Sequence, residues 1–442
     1  MNSAAALAAS VAQPSVRGLA HETLVASACR KNTVRLVVLL AIAYIINYLD
    51  RNNVAFAALT MNSAVGLTGT QFGMGAGLVF ASYCTLEIPS NLITFRVGAR
   101  RWLARIMITW GIAAAATAFV VGPSSFYIMR FVLGAAEAGF TPGVLLYLTV
   151  WFPVQYRTRV LSLFLLGVPV SSLIGGPISG TLLEFDGWLG LAGWQWLFLI
   201  EAVPAIIAGI LTFRLLVDDP RDAKWLTQEE RAALLEELSR DSRGLDRPQH
   251  GFWTAFADRR VLLMTTVQFG FTIGAYGVSM WLPLILKQHA LSNLQVGFVT
   301  TIPYGFATVG MLLWARHIDA GGDKILNLTL ACLLAVVGFV ISVVFTSLVP
   351  AVAGLTVALV GITAARNVFW SIPPRFLVGA AAASGLAFIN SVGTIGGWVG
   401  PVLMGWLKDR TGSFTPGLAA MAAILLLTAG LAASVRLVTR NV

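Results

Sequence analysis

Long apolar stretches recur along almost the whole chain, and they constrain its fold more than any other feature. A helix that crosses a bilayer needs about 20 mostly apolar residues. Only 11% of the 442 residues are charged, compared with about 25% in ordinary soluble domains. We therefore predict an all-α membrane protein with twelve transmembrane helices. The predicted spans cover residues 36–59, 71–95, 103–122, 125–150, 159–183, 194–217, 261–286, 294–315, 326–346, 349–372, 380–407 and 415–438.

Basic residues cluster in alternate links between these spans, and this predicts the orientation of the chain. Arg96, Arg100, Arg101 and Arg105 crowd the region that joins the second and third spans. The links GLTGTQ and GPSS on either side of it carry no basic residue. Because positively charged links stay in the cytoplasm, both termini are expected there. Membrane topology thus accounts for the net charge of +10, and no nucleic-acid partner is expected.

One long polar segment, DDPRDAKWLTQEERAALLEELSRDSRGLDRPQH, follows the sixth span. It is predicted to contain a short amphipathic helix that begins with Thr227 and Glu230 as a capping box. The chain is thereby divided into a loose cytoplasmic tail (1–34), a six-helix bundle (35–217), a cytoplasmic linker (218–258) and a second six-helix bundle (259–442).

The two halves carry matching short motifs. Gly176-Pro177 in the fifth span and Gly400-Pro401 in the eleventh span are separated by 224 residues, and VGARR and AGGDK occupy the same link of each half. Together with the six-plus-six count, these matches predict a duplicated architecture with a central site between two bundles.

Among the ionisable residues inside predicted spans of the first half, four form two pairs. Asp50 and Arg51 are adjacent in span one, and Arg130 and Glu137 lie seven residues apart in span four, which places them on one helix face. A charge at the bilayer centre costs about 2.5–3.5 kcal/mol on insertion scales. The positions 224 residues further on hold Gly274, Ala275, Gly354 and Gly361. Since the second half is expected to build the same fold without these charges, they indicate function rather than folding.

Two interpretations of these charges remain open. They could form an ion-pair lattice that holds the helices together, or a substrate and proton site, since ionisable groups inside membranes usually line pathways. In the second interpretation Arg51 offers a guanidinium fork to an anion, while Asp50 and Glu137 bind protons. An anion on Arg51 would weaken its pairing with these acids, so that anion binding and proton binding favour each other.

Other polar residues could face the same cavity or could simply pack between helices. These candidates are Tyr48, Tyr83, Tyr276 and Asn390. Arg366, in span ten, also has two interpretations. It could extend toward the cytoplasm, or it could face the cavity as a second cation opposite Arg51, in which case the substrate would carry two anionic groups.

Residue types that would indicate other classes of protein are scattered. The three cysteines and four histidines show no metal-ligand spacing. The sequence contains no recognisable nucleophile–base pair and no phosphate-binding loop. We therefore expect no enzyme activity, no cofactor and no metal site.

Several motifs resemble one known group of transporters. They are YLDRNNVAFAALTMN, YCTLEIPSNLI, VGARRWLARIMITWG, RFVLGAAEAGFTPGVLLYLTVWFP, GWQWLFLIEAVPA and INSVGTIGGWVGP. Together they resemble the anion:cation symporter family of the major facilitator superfamily, and within it bacterial permeases for tartrate, nicotinate and phthalate. The resemblance implies the major facilitator fold, with proton coupling and anion binding by Asp50, Arg51, Arg130 and Glu137. The residues for which it implies substrate contact are Tyr48, Tyr83 and Asn390.

The link between spans two and three departs from the pattern of the superfamily. An acid usually precedes the arginine of this link, whereas here Phe95 precedes Arg96. The copy in the second half keeps Asp319. Arg96 and Asp319 are therefore candidate gating residues, and the cytoplasmic latch of the first half is expected to be weak.

Taken together, these features predict a proton-driven symporter of the bacterial inner membrane that imports a small organic carboxylate by alternating access. Its expected partners are the organic anion, protons and the lipid bilayer, and we expect a monomer. The alternative is an anion exchanger on the same fold, such as one that exchanges organic phosphate for phosphate. An exchanger would need the arginines but no titrating acids.

Overall fold

The computed structural model describes residues 16–243, 258–373 and 380–438. In this part of the chain all regular secondary structure is helical, and twelve helical segments are long and apolar enough to cross a membrane. The twelve predicted spans are thus confirmed. We number them 1 to 12 in chain order: His21–Val65, Gly69–Val97, Ala99–Phe119, Pro123–Trp151, Val154–Phe185, Gly193–Leu215, Arg259–Ser279, Asn293–Ile318, Lys324–Val344, Leu348–Phe369, Gly385–Thr411 and Thr415–Arg436.

We call spans 1 to 6 the first group and spans 7 to 12 the second group, and most of the extensive contacts between spans lie within one group. In the first group span 3 packs on span 6 and span 2 packs on span 4, while in the second group span 9 packs on span 10 and span 7 packs on spans 11 and 12. The groups meet where span 2 lies against span 11 and span 5 lies against span 8. A site between the groups can therefore draw on side chains from both halves of the chain.

The two groups touch at one end of the molecule. We call the end that carries residues 216–243 the linker end, and the opposite end the distal end. Toward the distal end, the main chains of Gly176 and Gly297 approach so closely that a Cβ atom on either glycine would overlap the carbonyl of the other. A Cβ atom on Gly73 would likewise overlap the Pro401 carbonyl. Small residues thus let helices from the two halves come into backbone contact.

Asp409 of span 11 adds a polar contact at the distal end by capping a helix of the other half. Its carboxylate accepts hydrogen bonds from the N–H groups of Gly69 at 2.8 Å and Thr70 at 2.6 Å. These N–H groups lie in the first turn of span 2, where they have no partner within their own helix. Toward the linker end, Arg366 of span 10 is exposed although tyrosines of both halves lie near it. The two groups are therefore in contact distally, and we call the space next to Arg366 between them the central opening.

Span 4 is broken immediately after Glu137, where the helix Pro123–Glu137 ends and the helix Phe140–Trp151 follows. Gly139 between them has a φ of 87°, a conformation that favours glycine. Pro142 lacks the N–H that would bond to the Ala138 carbonyl, and the Ser90 hydroxyl donates to that carbonyl instead, at 2.6 Å. The break leaves Glu137 at the end of a half-helix inside the membrane, an arrangement that is typical of binding sites in transporters.

Residues 16–32 are helical, although the tail was expected to be loose. This tail helix, Val16–Asn32, overlaps the first residues of span 1 and packs against the linker helix, Gln228–Arg243. Part of the N-terminal tail is therefore an ordered partner of the linker.

Glu230 connects the tail helix to the linker helix. Thr227 Oγ1 accepts a hydrogen bond from the Glu230 N–H, and Glu230 Oε2 accepts one from the Thr227 N–H, which confirms the predicted capping box. Glu230 Oε1 also accepts hydrogen bonds from Ser27 and Lys31 of the tail helix, each at 2.7 Å. The Glu230 carboxylate thus caps the start of the linker helix and also binds the tail helix.

Replacing Gly139 with alanine should destabilise the protein for two reasons. A residue with a Cβ atom pays about 1–2 kcal/mol in a left-handed conformation, and the added methyl group would overlap the Ser90 hydroxyl. Gly66→Ala is the matched control, because Gly66 also has a positive φ of 72° but no atom within 4 Å of an added Cβ. We expect the melting temperature to fall further in Gly139→Ala than in Gly66→Ala. Equal melting temperatures would show that the contact with Ser90 has no effect.

The junction of the tail and linker helices should depend on pH. Burial opposes the charge of Glu230, but hydrogen bonds from Lys31, Ser27 and the Thr227 N–H lower the pKa of its carboxyl from 4.5 to about 2. Because the pKa is depressed in the folded state, this stabilisation is fully present above pH 4.5 and is lost as the pH falls toward 2. Spin labels on the two helices should therefore separate over this pH range.

Glu230→Gln should show broadened distances between the same spin labels already at pH 7, because a neutral amide cannot form the ion pair. Glu229→Gln is the control, since Glu229 is exposed. A distance distribution in Glu230→Gln that is identical to that of the wild type at pH 7 would contradict this prediction.

Candidate functional site

Arg51 and Glu137 form an ion pair between spans 1 and 4. Nε and Nη2 of Arg51 donate to Oε2 of Glu137 at 3.2 and 2.8 Å. Glu137 is completely buried, whereas 11% of the Arg51 side chain is exposed. Oε1 of Glu137 accepts no hydrogen bond from any described residue. The pair thus has an acid enclosed by protein and an arginine that reaches the central opening.

Aromatic rings surround the Arg51 guanidinium. Its Cζ atom lies 5.5 Å from the ring centroid of Tyr48 and 5.0 Å from that of Tyr83, within the range of cation–π attraction. Tyr276, from the other half of the chain, also interacts electrostatically with Arg51, and its ring lies 4.3 Å from that of Phe80. Three tyrosines predicted as cavity residues therefore gather around one guanidinium.

Asp50 and Arg130 lie deeper in the first half, and each is only 1% exposed. Asp50 Oδ2 accepts a hydrogen bond from Trp110 Nε1 at 2.8 Å. Arg130 is within electrostatic reach of Asp50, Arg51 and Glu137, but its Nε and Nη1 atoms have no hydrogen-bond partner among the described residues. The four predicted charges are thus brought together, and the direct ion pair joins Arg51 to Glu137.

A further acid, Glu201 of span 6, belongs to this group, although the sequence reasoning did not identify it. Ser179 Oγ donates to Glu201 Oε1 at 2.8 Å, and Glu201 interacts electrostatically with Asp50. Glu201 could have been identified from the sequence, because it is a charged residue within the apolar segment WLFLIEAVPA, just as Asp50 is a charged residue within span 1. Within the described part of the chain, no group of three or more His, Cys, Asp or Glu side chains could hold a metal ion.

Arg366 of span 10 faces the central opening. Its side chain is exposed, yet it interacts electrostatically with Tyr48 and Tyr44 of span 1 and with Tyr276 of span 7. An exposed side chain among tyrosines of both halves faces an internal space rather than lipid. Of the two interpretations of Arg366, this geometry favours the one in which it shares the opening with Arg51.

Asn390 is half-buried in span 11, next to a contact between the halves. The carbonyl of its neighbour Ser391 lies 3.6 Å from Cys84 Sγ, which donates to it across the interface. Cys84 in turn follows Tyr83 in span 2. The structure therefore places Asn390 one residue along span 11 from a contact with span 2.

The two predicted gating residues are not seen to act together. Arg96 is exposed at the end of span 2. Asp319 ends the helix of span 8, and its side chain lies outside the described residues. A charged contact between the halves is formed instead by Asp409 at the distal end, which the sequence did not indicate because charged residues are common near the ends of spans.

Comparison with known proteins establishes the family. A family model described as "Major Facilitator Superfamily" matches residues 40–401. The chain belongs to the major facilitator superfamily. The resemblance stated from the sequence motifs is thereby confirmed, and this facilitator is a multi-pass membrane protein whose relatives are transporters.

The names of proteins similar to this facilitator refer to different substrates. A protein of Agrobacterium vitis named "Putative tartrate transporter" is 48% identical and covers 93% of this chain and 92% of its own length. A "Quinolone resistance transporter" of Acinetobacter baumannii is 41% identical, with 90% and 92% covered. The solved structure of a bacterial homolog to human lysosomal transporter Spinster, inward-facing and occupied, is 16% identical with a TM-score of 0.71, and 92% of this chain and 97% of that chain are covered. This last similarity shows the fold alone.

Proposed function

We propose that this protein is a proton-coupled symporter that imports a small organic carboxylate by alternating access. The observation that carries the proposal is the Arg51–Glu137 pair, in which one guanidinium both neutralises a buried acid and reaches the central opening. The tartrate transporter name of the relative that is 48% identical supports a carboxylate as the substrate.

Competition for Arg51 couples the anion to the proton. A substrate carboxylate can accept two parallel hydrogen bonds from the guanidinium fork. In doing so it displaces Oε2 of Glu137, whose buried charge then loses its partner. Since an unpaired buried carboxylate is costly, Glu137 takes up a proton. The reverse also holds by thermodynamic linkage, so protonation of Glu137 releases Arg51 for the substrate.

Asp50 is the second proton acceptor in this proposal. Its Oδ1 atom accepts no hydrogen bond from the described residues and is therefore free to carry a proton. Arg130 and Glu201 lie close enough to Asp50 to interact with its carboxylate electrostatically, Arg130 by attraction and Glu201 by repulsion. When Glu137 is released from Arg51, its interaction with Arg130 changes. Because Arg130 also interacts with Asp50, a change at one acid alters the electrostatic energy of the other.

The charge distribution supports an orientation with the linker end in the cytoplasm. Arg100 and Arg101 lie at this end, and positively charged links remain cytoplasmic. In this orientation the central opening faces the cytoplasm and Asp409 closes the outer side, which corresponds to the inward-facing state of alternating access. The bacterial relatives agree with a location in a bacterial inner membrane.

Asp50→Asn and Glu137→Gln should each abolish uptake of carboxylate driven by a proton gradient, because neither amide can bind and release a proton. Uptake of radiolabelled acids into proteoliposomes with an imposed pH difference measures this. Glu184→Gln is the control, since Glu184 is exposed in the last turn of span 5 at the distal end and should leave uptake unchanged. Full gradient-driven uptake in both site variants would refute proton coupling through these acids. Exchange of internal for external anion that is equally fast in all variants and at all pH values would favour the exchanger.

Arg51→Lys should weaken binding of the transported acid, because an ammonium group cannot reproduce the two-point fork. A hydrogen bond to a charged group contributes about 1.5–3 kcal/mol, so loss of one bond should raise the dissociation constant about tenfold or more. Isothermal titration of the purified protein measures the change. The control is Arg101→Lys, at an exposed position outside the opening. Wild-type affinity in Arg51→Lys would count against the role of the fork.

A further inference from the structure

Arg366 is a second guanidinium at the central opening, and it comes from the other half of the chain. Arg51 is carried by span 1 and Arg366 by span 10. Both interact with Tyr48 and with Tyr276. Two cations from opposite halves therefore face the same pair of tyrosines.

Arg366 differs from Arg51 in its ion pairing. Glu137 lies 2.8 Å from Arg51. No carboxylate of the described residues lies within ion-pair distance of Arg366. Glu87, a half-buried acid of span 2, interacts with Arg51. A guanidinium cannot shed its proton in a protein, and unpaired charge in a membrane protein marks an ion or substrate pathway.

We propose that Arg366 binds the second carboxylate of a dianionic substrate whose first carboxylate binds Arg51, so that the transporter selects short dicarboxylates. This inference rests on the proposed function, because it assigns a further contact to the same substrate. A dianion relieves the repulsion between the two guanidiniums, whereas a monoanion leaves one of them uncompensated.

The placement of the two arginines also explains how a dianion would promote transport. Arg51 moves with the first six spans and Arg366 with the second six. A ligand that binds both draws the halves together around itself and stabilises the closed intermediate through which alternating access must pass. A monoanion on Arg51 leaves Arg366 of the other half without an anion, so its preference for the closed state is weaker and it shifts the population toward that state less.

Tartrate and threonate form a matched pair of probes, because threonate is tartrate with one carboxyl group replaced by CH₂OH. Succinate and 4-hydroxybutyrate differ in the same way. Proton-driven uptake of all four acids is measured in proteoliposomes of the wild type, Arg366→Gln and Arg366→Lys. Arg214→Gln is the control, because Arg214 is exposed at the end of span 6. All variants are first checked for a single monodisperse peak and for an unchanged melting temperature.

The wild type should transport at least one diacid with a kcat/KM at least tenfold above that of its matched monoacid. Arg366→Gln should lower this value at least tenfold for the diacid and less than twofold for the monoacid, which removes the preference. Arg366→Lys should retain part of the preference, since it keeps the charge. Arg214→Gln should behave as the wild type does.

Three outcomes would overturn the inference. The wild type could transport each monoacid as well as its diacid, Arg366→Gln could reduce both acids by the same factor, or the wild type could take up neither diacid. In the first two cases proton-driven carboxylate uptake persists and the proposed function stands. If Arg366→Gln does not fold, the selectivity of the wild type and the effect of Arg366→Lys still decide the question. Loss of proton-driven uptake for every carboxylate in a wider panel would instead reject the proposed function itself.

Discussion

Arg51 can be kept inside an apolar bundle because Glu137 compensates its charge, and Glu137 stands opposite Arg51 at the point where span 4 breaks. The break depends on a left-handed Gly139 and on a proline that leaves one carbonyl for Ser90 to satisfy. Local backbone chemistry thus positions a buried acid beside an arginine that reaches the central opening. Arg51 is thus a cation at the opening that is already engaged with a buried acid.

The two halves of the chain share a plan but contribute different chemistry. The first half supplies the buried acids, together with Arg51 and Arg130. The second half supplies Tyr276 and Arg366, which face Arg51 across the opening. The distal ends of the halves are held together by the close backbone contact of Gly176 with Gly297 and by the hydrogen bonds that the Asp409 carboxylate accepts. A contact that caps a helix of the other half depends on how the halves are arranged, so it can form in one conformation and be released in another.

Some residues of the site could be recognised from the sequence and others could not. Asp50, Arg51, Arg130 and Glu137 stood out because charge within an apolar span is costly. Glu201 carried the same signal and was overlooked. Trp110 had no comparable signal, since tryptophan is common in spans and its hydrogen bond to Asp50 depends on how span 3 is rotated. The capping box of Thr227 and Glu230 was predictable because it is encoded within four residues, whereas the contacts of Glu230 with the tail helix join segments about 200 residues apart.

The sequence by itself determined that the protein has twelve spans, because backbone groups in lipid can be satisfied only within long helices, and apolar stretches of that length can be counted. It also determined which side chains carry unexplained charge. Only the tertiary structure decided which acid pairs with Arg51, where the two halves close and whether Arg366 faces the opening. These features depend on the rotation of each helix about its axis and on the packing between distant spans. A residue's position along one helix does not contain that information.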